Sequence, residues 1–375
     1  MKTRAAVLFG AGFEQPYAKS VPLKIETLEL DAPGYAEVLV KIKATGLCHS
    51  DLSVIDGTRP RPMPMALGHE AAGLVVEAGE GVTDLKPGDH VVCTFVPSCG
   101  HCLPCQEGRP ALCEPGAYAN NQGTLLSGER RLHHEDREIQ HHLGVSGFAD
   151  YAVVSRRSLV KVDPEIPFEM IAVFGCAVMT GVGAVVNTAR IPFGSTVAVV
   201  GLGGVGLSAL LGAVAAGASR IIAVDINPEK LDFANRIGAT DIFDSRDPDV
   251  AARIRSLTGG GVEYAFETAG AIRALEVAYA ITRRGGATVT TGLPHPDHQF
   301  AFSPVTLTAE ERTIKGSYLG SCVPARDIPR FIGLYKQGKL PVERLLTDTL
   351  TLEEINEGFD RLGRGDASRL VVVFP

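Results

Sequence analysis

A regular alternation of strand-like and helix-like segments, which begins near residue 195, is the feature that most restricts the fold. The β-branched run STVAVV leads into the glycine turn GLGGVG, and the next stretch, LSALLGAVAAGA, has the composition of a helix. The segments RIIAVD, DIFD, EYAFETAG, ATVTTG and TIKGSYLG bring the predicted strands to six, and helix-like segments separate the first five. Parallel strands need such crossovers, so the pattern predicts an α/β fold with a doubly wound parallel sheet.

The glycine turn has the spacing of a dinucleotide-binding site. The first glycine of G-x-G-x-x-G allows a tight turn, the second lets a pyrophosphate approach the backbone, and the third lets helix and strand pack closely. An aspartate ends the next strand, about twenty residues on, where it would bind a ribose hydroxyl and repel a 2′-phosphate. A purely structural turn is the alternative, but the whole context favours NAD over NADP. The predicted contacts are Gly201, Gly203, Gly204, Val205, Gly206 and Asp225, with Lys230 either facing the ribose or exposed on its helix.

Residues 1–165 have a different pattern, with short alternating strands bounded by Gly, Pro or Asp. Examples are KIETLEL, EVLVKIKATG, AAGLVVEAG, GDHVVCTF and FADYAVV, and their spacing predicts a β-rich, barrel-like domain. The tail after the sixth parallel strand has two helix-like segments and the closing strand RLVVVF, which we expect to return to the first domain. The predicted domains are therefore 1–177 with 322–375, and a nucleotide-binding domain over 178–321.

Composition excludes several classes of function. A formal net charge of −7 argues against a general binder of nucleic acid or anionic membranes. The amino terminus has only a short apolar stretch and no clear cleavage site, so a first strand is expected there and not a signal peptide. Residues 170–189 and 191–219 are uncharged, but Gly, Ser, Thr and Asn interrupt both, as in buried strands and helices. We expect a cytoplasmic protein without a membrane segment.

Four of the eight cysteines lie within residues 95–113, spaced C-x2-C-x2-C-x7-C. A reducing compartment disfavours disulfides, and a cluster of this density more often binds metal. Four thiolates fill a tetrahedral zinc site and leave no position for substrate, so a structural zinc is expected. An iron–sulfur cluster is the main alternative, and a nucleic-acid-binding zinc module is disfavoured by the acidic balance. The predicted ligands are Cys99, Cys102, Cys105 and Cys113.

Three further motifs, GLCHSDL, LGHEAAG and FGCAVMTGVGA, contain isolated cysteines and a histidine. Their spacing alone does not assemble them into a site, since lone buried cysteines usually act as small hydrophobic residues. Together with the four-cysteine lobe, GLGGVG and DINPEK, in this order, they resemble the zinc-dependent medium-chain alcohol dehydrogenase family. The resemblance covers essentially the whole chain. The sequence is especially similar to the long dimeric forms, class I and class III. These forms keep a segment after the four-cysteine lobe, which corresponds to about 114–143 in this chain.

The resemblance implies a GroES-like catalytic domain, a Rossmann domain, two zinc ions per chain and a homodimer, to which the edge strand RTIKGSYLG would contribute. It implies that Cys48, His69 and Cys176 bind the catalytic zinc and leave a fourth position open. Glu70 would lie beside the metal, Asp51 would orient the histidine and Ser50 would take the substrate's proton. His49 and Arg369 match pyrophosphate contacts, and Thr180 matches the lining of the nicotinamide site.

The implied reaction is the reversible oxidation of a primary alcohol, aliphatic or aromatic, to an aldehyde, with hydride transfer to NAD. Zinc would lower the pKa of the bound hydroxyl toward about 7. The implied pocket positions are Phe95, His142 and Leu293, with Tyr318 near the cofactor. We leave open whether His142 lines the pocket or points outward.

The sequence departs from the family at several positions. Ser53 stands where relatives carry a histidine that passes the proton to solvent, so we expect a relay from Ser50 through the ribose hydroxyl. Arg59 and Arg61 either bind an acidic substrate group or, more simply, lie exposed in a loop. The segment around them does not match the class III enzymes, which makes glutathione-dependent formaldehyde oxidation a second candidate. The histidine-rich run 130–142 is expected to be a solvated loop and not a metal site.

Zinc-free quinone or enoyl reductases and non-catalytic relatives are further alternatives. The presence of all three metal ligands argues against both, and the aspartate of the nucleotide site argues against the NADPH-dependent reductases.

Overall fold

A computed structural model describes all residues from Met1 to Pro375. The chain divides into two compact units. Unit 1 comprises Met1–Cys176, Val323–Pro329 and Leu346–Pro375, and unit 2 comprises Ala177–Cys322 and Arg330–Leu345.

The chain contains eighteen strands, which range from two to ten residues in length. They are β1 (Lys2–Leu8), β2 (Leu23–Leu30), β3 (Glu37–Gly46), β4 (Met65–Ala66), β5 (Glu70–Ala78), β6 (His90–Cys93), β7 (Leu132–His134), β8 (Arg137–His141), β9 (Tyr151–Ser155), β10 (Leu159–Lys161), β11 (Thr196–Val200), β12 (Arg220–Asp225), β13 (Asp241–Asp244), β14 (Val262–Glu267), β15 (Thr282–Thr290), β16 (Thr313–Gly316), β17 (Asp348–Leu350) and β18 (Leu370–Val373).

Thirteen α-helices accompany these strands. They are α1 (Tyr17–Ser20), α2 (His49–Ile55), α3 (Leu103–Gln106), α4 (Glu114–Gln122), α5 (Phe168–Val173), α6 (Met179–Gly183), α7 (Gly204–Ala215), α8 (Pro228–Ile237), α9 (Val250–Leu257), α10 (Ile272–Ile281), α11 (Pro304–Ala309), α12 (Pro324–Lys336) and α13 (Ile355–Arg364).

Unit 1 is β-rich, as its alternating sequence predicts. Strands β1, β2, β7, β8 and β4 form a closed barrel, and a second sheet has the order β10-β6-β5-β3-β18-β17, with β9 also paired to β3. The alternation puts one face of each strand into the core, where Leu8, Ile42, Val91 and Phe148 are among the fully buried side chains. The closing strand β18 pairs antiparallel with β3, so the tail of the chain completes this sheet.

The structure of the histidine-rich run 130–142 differs from the sequence-based expectation. The segment was expected to be a solvated loop, but β7 and β8 form an antiparallel hairpin within the barrel. Leu132 and Ile139 are opposite each other in this hairpin and are both fully buried, which explains why the segment is ordered as strands. Nε2 of His133 lies 2.8 Å from Oδ2 of Asp31, so this imidazole makes its polar contact on the surface of the barrel.

Unit 2 is a six-stranded parallel sheet in the order β13-β12-β11-β14-β15-β16. Strand β11 is apolar after Thr196, and β12 is apolar between Arg220 and Asp225, as expected of central strands whose two faces are covered by helices. The strand order reverses between β11 and β14, and the glycine turn follows β11 at this point. Ligands of open α/β sheets bind at such a switch point.

Residues 330–345 differ from the predicted division, which placed them with the catalytic domain. They belong to unit 2, where the turn Val342–Leu345 contacts α7. Leu340, Val342 and Leu345 are buried, and this apolar set explains why the segment packs there.

One helical stretch, Phe168–Ala189, is long and apolar enough to cross a membrane by length and composition. Its most apolar window is 89% buried within the protein. Internal packing therefore accounts for the uncharged character of this segment.

Candidate active site

The three residues assigned to the catalytic metal come from separate segments and meet in unit 1. Cys48 precedes α2, His69 precedes β5, and Cys176 lies in a π-helical turn after α5. Together with Glu70, their potential ligand atoms all lie within 4.8 Å of one another, and all four side chains are buried. Two sulfurs and an imidazole nitrogen are a donor set that suits zinc and leaves a tetrahedral position for another ligand.

His69 is oriented for this role by Asp51. The Nδ1 atom of His69 lies 3.1 Å from Oδ1 of Asp51, and the backbone N–H of Gly68 donates to the same oxygen at 3.2 Å. Both side chains are fully buried. Nε2 of His69 has no hydrogen-bond partner, which leaves its lone pair available to a metal. An orphaned buried nitrogen beside two cysteines fits a bound zinc ion.

The cluster also contains a buried ion pair. Nη1 of Arg369 donates to Oε1 of Glu70 at 3.0 Å and to the carbonyl of Leu47 at 2.9 Å. A side chain at Gly46 would place its Cβ 2.6 Å from Oε2 of Glu70, so this glycine makes room for the carboxylate. The sequence assigned Arg369 only to the pyrophosphate, and its contact with Glu70 is an additional role.

The electrostatics of the cluster favour a cation. A hydrogen bond between the two thiols lowers the pKa of Cys48 well below its ordinary value and raises the pKa of Cys176 well above it. Burial raises the pKa of Glu70 to about 8, although the neighbouring Arg369 favours the ionised form. Cys176 and Glu70 therefore tend to keep their protons in the buried cluster, and a divalent cation would supply the positive charge that favours their ionised forms.

His142 lies beside Asp51, which the sequence did not predict. It is almost fully buried, and its Nδ1 lies 3.0 Å from Oδ1 of Asp51. Burial alone would raise the pKa of Asp51, but His69 and His142 together lower it below its ordinary value. His142 therefore points inward, which resolves the alternative left open above. No sequence signal reveals this contact, because it depends on how the barrel brings β8 to α2.

The remaining predicted residues of unit 1 lie around this cluster. The ring of Phe95 packs edge-on against His69, with 5.3 Å between ring centroids. Ser50 is half-buried and His49 is exposed, both in the first turn of α2. The hydroxyl of Ser53 donates to the carbonyl of His49 at 2.9 Å, so it is used within the helix.

The four cysteines of the lobe also come together. Their sulfurs lie within 4.8 Å of one another, and none forms a disulfide. Backbone N–H groups of Cys99 and Gly116 donate to the sulfur of Cys113, and those of His101 and Cys102 donate to the sulfur of Cys99. Such bonds stabilise thiolates, so the four sulfurs fit a metal ion with all four positions filled.

The glycine turn of unit 2 fits a dinucleotide. Gly201 has φ +96°, and a Cβ there would lie 2.8 Å from the backbone nitrogen of Ala269. A Cβ on Gly206 would overlap the carbonyl oxygen of Gly201. A Cβ on Gly203 would meet nothing within 4 Å, so protein packing does not require this glycine. It leaves open space at the start of α7, where Gly204 and Val205 offer their N–H groups to a phosphate.

Asp225 ends β12 beside this turn. Its Oδ2 accepts the N–H of Leu202 at 2.6 Å, and its Oδ1 accepts the N–H of Asn227 at 2.9 Å. The carboxylate is thus fixed by the turn itself. Lys230 is half-buried on α8 and Thr180 is buried in α6. Of the predicted pocket residues of unit 2, Leu293 is 53% exposed and Tyr318 is 39% exposed.

Comparisons with known proteins agree with this description. Residues 34–164 match the alcohol dehydrogenase GroES-like domain, and residues 204–337 match the zinc-binding dehydrogenase domain. A Mycobacterium tuberculosis protein named as an alcohol dehydrogenase (alcohol dehydrogenase D) is 41% identical over 377 residues, covering 100% of both chains.

Two solved structures are similar along their whole length. An alcohol dehydrogenase zinc-binding domain protein from Burkholderia ambifaria is 37% identical, with a TM-score of 0.94 over 100% of this chain and 99% of the other. Benzyl alcohol dehydrogenase from Acinetobacter calcoaceticus is 34% identical, with a TM-score of 0.93 over 100% of both. The chain therefore belongs to the zinc-binding alcohol dehydrogenases of the medium-chain family, with a GroES-like domain and a parallel-sheet nucleotide-binding domain.

Proposed function

We propose that this protein oxidises a primary alcohol, aliphatic or aromatic, to its aldehyde with NAD as the hydride acceptor, and that the reaction is reversible. The observation that carries the proposal is the buried cluster in which Cys48, His69 and Cys176 direct their ligand atoms toward one another. These residues would hold the catalytic zinc. When bound, zinc would polarise the alcohol oxygen, and NAD would accept the hydride.

The side chains around the cluster prepare it for this chemistry. Asp51 lies at hydrogen-bond distance from Nδ1 of His69 and would favour the tautomer that offers the lone pair of Nε2 to a metal. Arg369 balances part of the charge of Glu70, which lies close enough to approach the metal during exchange of its fourth ligand. The hydroxyl of Ser50 would take the proton of the alcohol and pass it through the ribose hydroxyl to solvent.

The cofactor is proposed to be NAD and not NADP. The open space at Gly203 and the N–H groups at the start of α7 support binding of a pyrophosphate. The fixed carboxylate of Asp225 supports discrimination against a 2′-phosphate. The further contacts proposed are His49 and Arg369 with the pyrophosphate, Lys230 with the ribose and Thr180 with the nicotinamide.

The remaining proposals concern the second zinc, the assembly and the compartment. The four-cysteine lobe would hold a structural zinc. β16 is the edge strand of its sheet and would support a homodimer by pairing with its counterpart. We also propose a cytoplasmic enzyme.

An aromatic primary alcohol is the substrate class with the most support. Phe95 packs against the metal-binding His69, and an aromatic ring at this position favours an apolar substrate. Similarity to benzyl alcohol dehydrogenase points to the same class. Leu293 is proposed as a further apolar contact.

The test combines metal content with a substrate panel. Purified protein is assayed with benzylic, primary aliphatic and secondary alcohols and with S-hydroxymethylglutathione, each with NAD and NADP, and its zinc is counted. We expect two zinc ions per chain and the highest kcat/KM with a primary alcohol and NAD. The variant Cys176→Ser should retain one zinc and lose turnover, whereas Cys322→Ser, at a buried cysteine outside both clusters, should retain both.

Other outcomes would support a different substrate or contradict the metal site. Preference for S-hydroxymethylglutathione would favour formaldehyde oxidation at the same site. Full turnover in Cys176→Ser, or two bound zinc ions in that variant, would contradict the assigned metal site.

A further inference from the structure

His142 occupies a fixed position next to the proposed catalytic cluster. It directly follows β8, and its backbone N–H donates to the carbonyl of Ala66 at 3.3 Å and to Oγ of Ser146 at 3.1 Å. Its carbonyl accepts from the N–H groups of Val145 and Ser146. The backbone is held on both sides, so the direction of the buried side chain is set by the barrel.

Three groups share a single oxygen of Asp51. Oδ1 lies 3.1 Å from Nδ1 of His69, 3.0 Å from Nδ1 of His142 and 3.2 Å from the backbone nitrogen of Gly68. Nδ1 of His142 approaches Oδ1 closely but outside hydrogen-bond geometry, so this nitrogen is buried without a hydrogen-bond partner and its contact with Asp51 is electrostatic. A carboxylate oxygen only accepts, so both imidazoles are favoured as the Nδ1–H tautomer.

The other oxygen of Asp51 does not help to hold the carboxylate. Oδ2 is buried and has no hydrogen-bond partner. The orientation of Asp51 therefore depends on the contacts at Oδ1, and two of the three come from histidine side chains. Loss of the His142 contact would leave the carboxylate freer to rotate away from His69.

The two histidine rings also touch. The ring of His142 meets the ring of His69 edge-on, with 5.4 Å between centroids and an angle of 89°. Phe95 makes a similar edge-on contact with His69. Ring packing and the polar contact with Asp51 are therefore two separable ways in which His142 could act.

We propose that His142 is a positioning residue, which holds Asp51 in the orientation that directs Nε2 of His69 at the metal. The polar contact through Nδ1, and not the packing of the ring, carries this role. The inference rests on the proposed function, because it takes Cys48, His69 and Cys176 as zinc ligands. It assigns His142 a task beyond lining the substrate pocket.

Two substitutions separate the polar contact from the packing. His142→Phe keeps an aromatic ring of similar shape and removes the nitrogen that faces Asp51. His142→Asn removes the ring but can place its amide N–H near the former Nδ1. In His142→Gln the longer side chain places the amide nearer to the former position of Nε2 of His142 than to that of Nδ1. This variant should therefore behave like His142→Phe. The matched control is His133→Phe in the same hairpin, because His133 is on the surface and pairs with Asp31.

The main readout is release of zinc to a chelator such as dipicolinate, followed with a chromogenic zinc indicator. Cys176→Ser, which retains only the lobe zinc, identifies the phase that belongs to each site. Mutation of a group that holds a metal-binding histidine through a hydrogen bond typically lowers metal affinity by 10- to 100-fold. His142 acts on His69 only through Asp51, so we expect the smaller effect: zinc release about 10-fold faster in His142→Phe and His142→Gln. His142→Asn and His133→Phe should resemble the original protein.

A second readout uses cobalt in place of zinc. The absorption bands of cobalt bound by thiolates report the geometry of the ligands, and we expect them to shift in His142→Phe and to return in His142→Asn. If His142→Phe matches the original protein in both readouts, the inference is wrong. If His142→Asn is as impaired as His142→Phe, ring packing is the cause and the inference is again wrong.

Failure of the proposed function would look different. The original protein would then lack the zinc phase that Cys176→Ser removes, whatever the behaviour of the His142 variants. If His142→Phe does not fold, the comparison of His142→Asn with His142→Gln still tests the position of the donor.

Discussion

The second and third glycines of the nucleotide turn should fail in different ways when each is replaced by alanine. A Cβ on Gly206 would overlap the carbonyl oxygen of Gly201 and would lie 2.6 Å from Oγ1 of Thr268. Overlap with backbone cannot be relieved by a rotamer change, so the turn and α7 must separate. Overpacking of this kind costs about 1–3 kcal/mol. At roughly 2–4 °C per kcal/mol, Gly206→Ala should lower Tm measurably.

Gly203→Ala is the matched comparison. A Cβ there meets nothing within 4 Å, and the backbone angles of φ −75° and ψ −175° are allowed for alanine. We expect a loss of stability of about 1 kcal/mol or less, because alanine is a poorer N-cap residue than glycine but meets no clash at this position. The added methyl group would instead occupy the space proposed for the pyrophosphate. NADH affinity should fall at least about 10-fold, which corresponds to about 1.4 kcal/mol.

Calorimetric unfolding without cofactor and titration of NADH fluorescence distinguish the two effects. Binding of NADH should also raise Tm of the original protein, and this increase should be smaller in Gly203→Ala. Unchanged NADH affinity in Gly203→Ala would mean that the turn is structural only. An unchanged Tm in Gly206→Ala would refute the argument from close packing.

Three further predictions follow from other parts of the structure. Asp225→Asn should reduce the preference for NAD over NADP at least about 10-fold, measured as the ratio of kcat/KM values, since the repulsion of a 2′-phosphate is lost. An unchanged ratio would exclude this carboxylate as the discriminating group. Ser50→Ala should lower kcat about 100-fold, which is the lower end of the effect expected when a proton-transfer group is lost. Undiminished turnover would refute the relay. Asp360→Ala should destabilise unit 1 by about 1–3 kcal/mol in urea unfolding, because two N–H groups of α1 that its carboxylate accepts lose their partner. Glu357→Ala, at an exposed position of the same helix, should have little effect, and equal stability of the two variants would contradict the reasoning.

The nucleotide-binding fold was predictable from the sequence because its signals are local. The central strands β11 and β12 are short runs rich in β-branched residues, and the glycine spacing marks a turn that needs close backbone approach. The sixth strand ends at Gly316, earlier than the predicted Gly320, because a turn at Leu319–Ser321 interrupts it. Such boundaries depend on tertiary contacts that a local pattern does not contain.

The proposed catalytic site was predictable only in part. Its cysteines and histidine are far apart in the chain, and spacing could not bring them together without the resemblance to a family. Neither a local sequence pattern nor the resemblance to a family indicated the contact of His142 with Asp51 or the ion pair of Glu70 with Arg369. These contacts arise because the pairing of distant strands brings together residues at or near the ends of those strands, and a histidine or arginine next to a strand has many other uses. The hairpin at 132–141 was missed for the opposite reason, because its charged residues concealed two buried apolar positions.

The order in which the ribosome makes this chain matters for the site at Cys48. Arg369 and Leu47 are 322 positions apart, and β18 covers the half of the β3 edge that β9 leaves free. During synthesis, therefore, that edge stays unpaired until almost the whole chain has emerged. An uncovered edge is a template for pairing with other chains. A nascent or truncated product that lacks β18 should accumulate as aggregate, and not as a partly active enzyme.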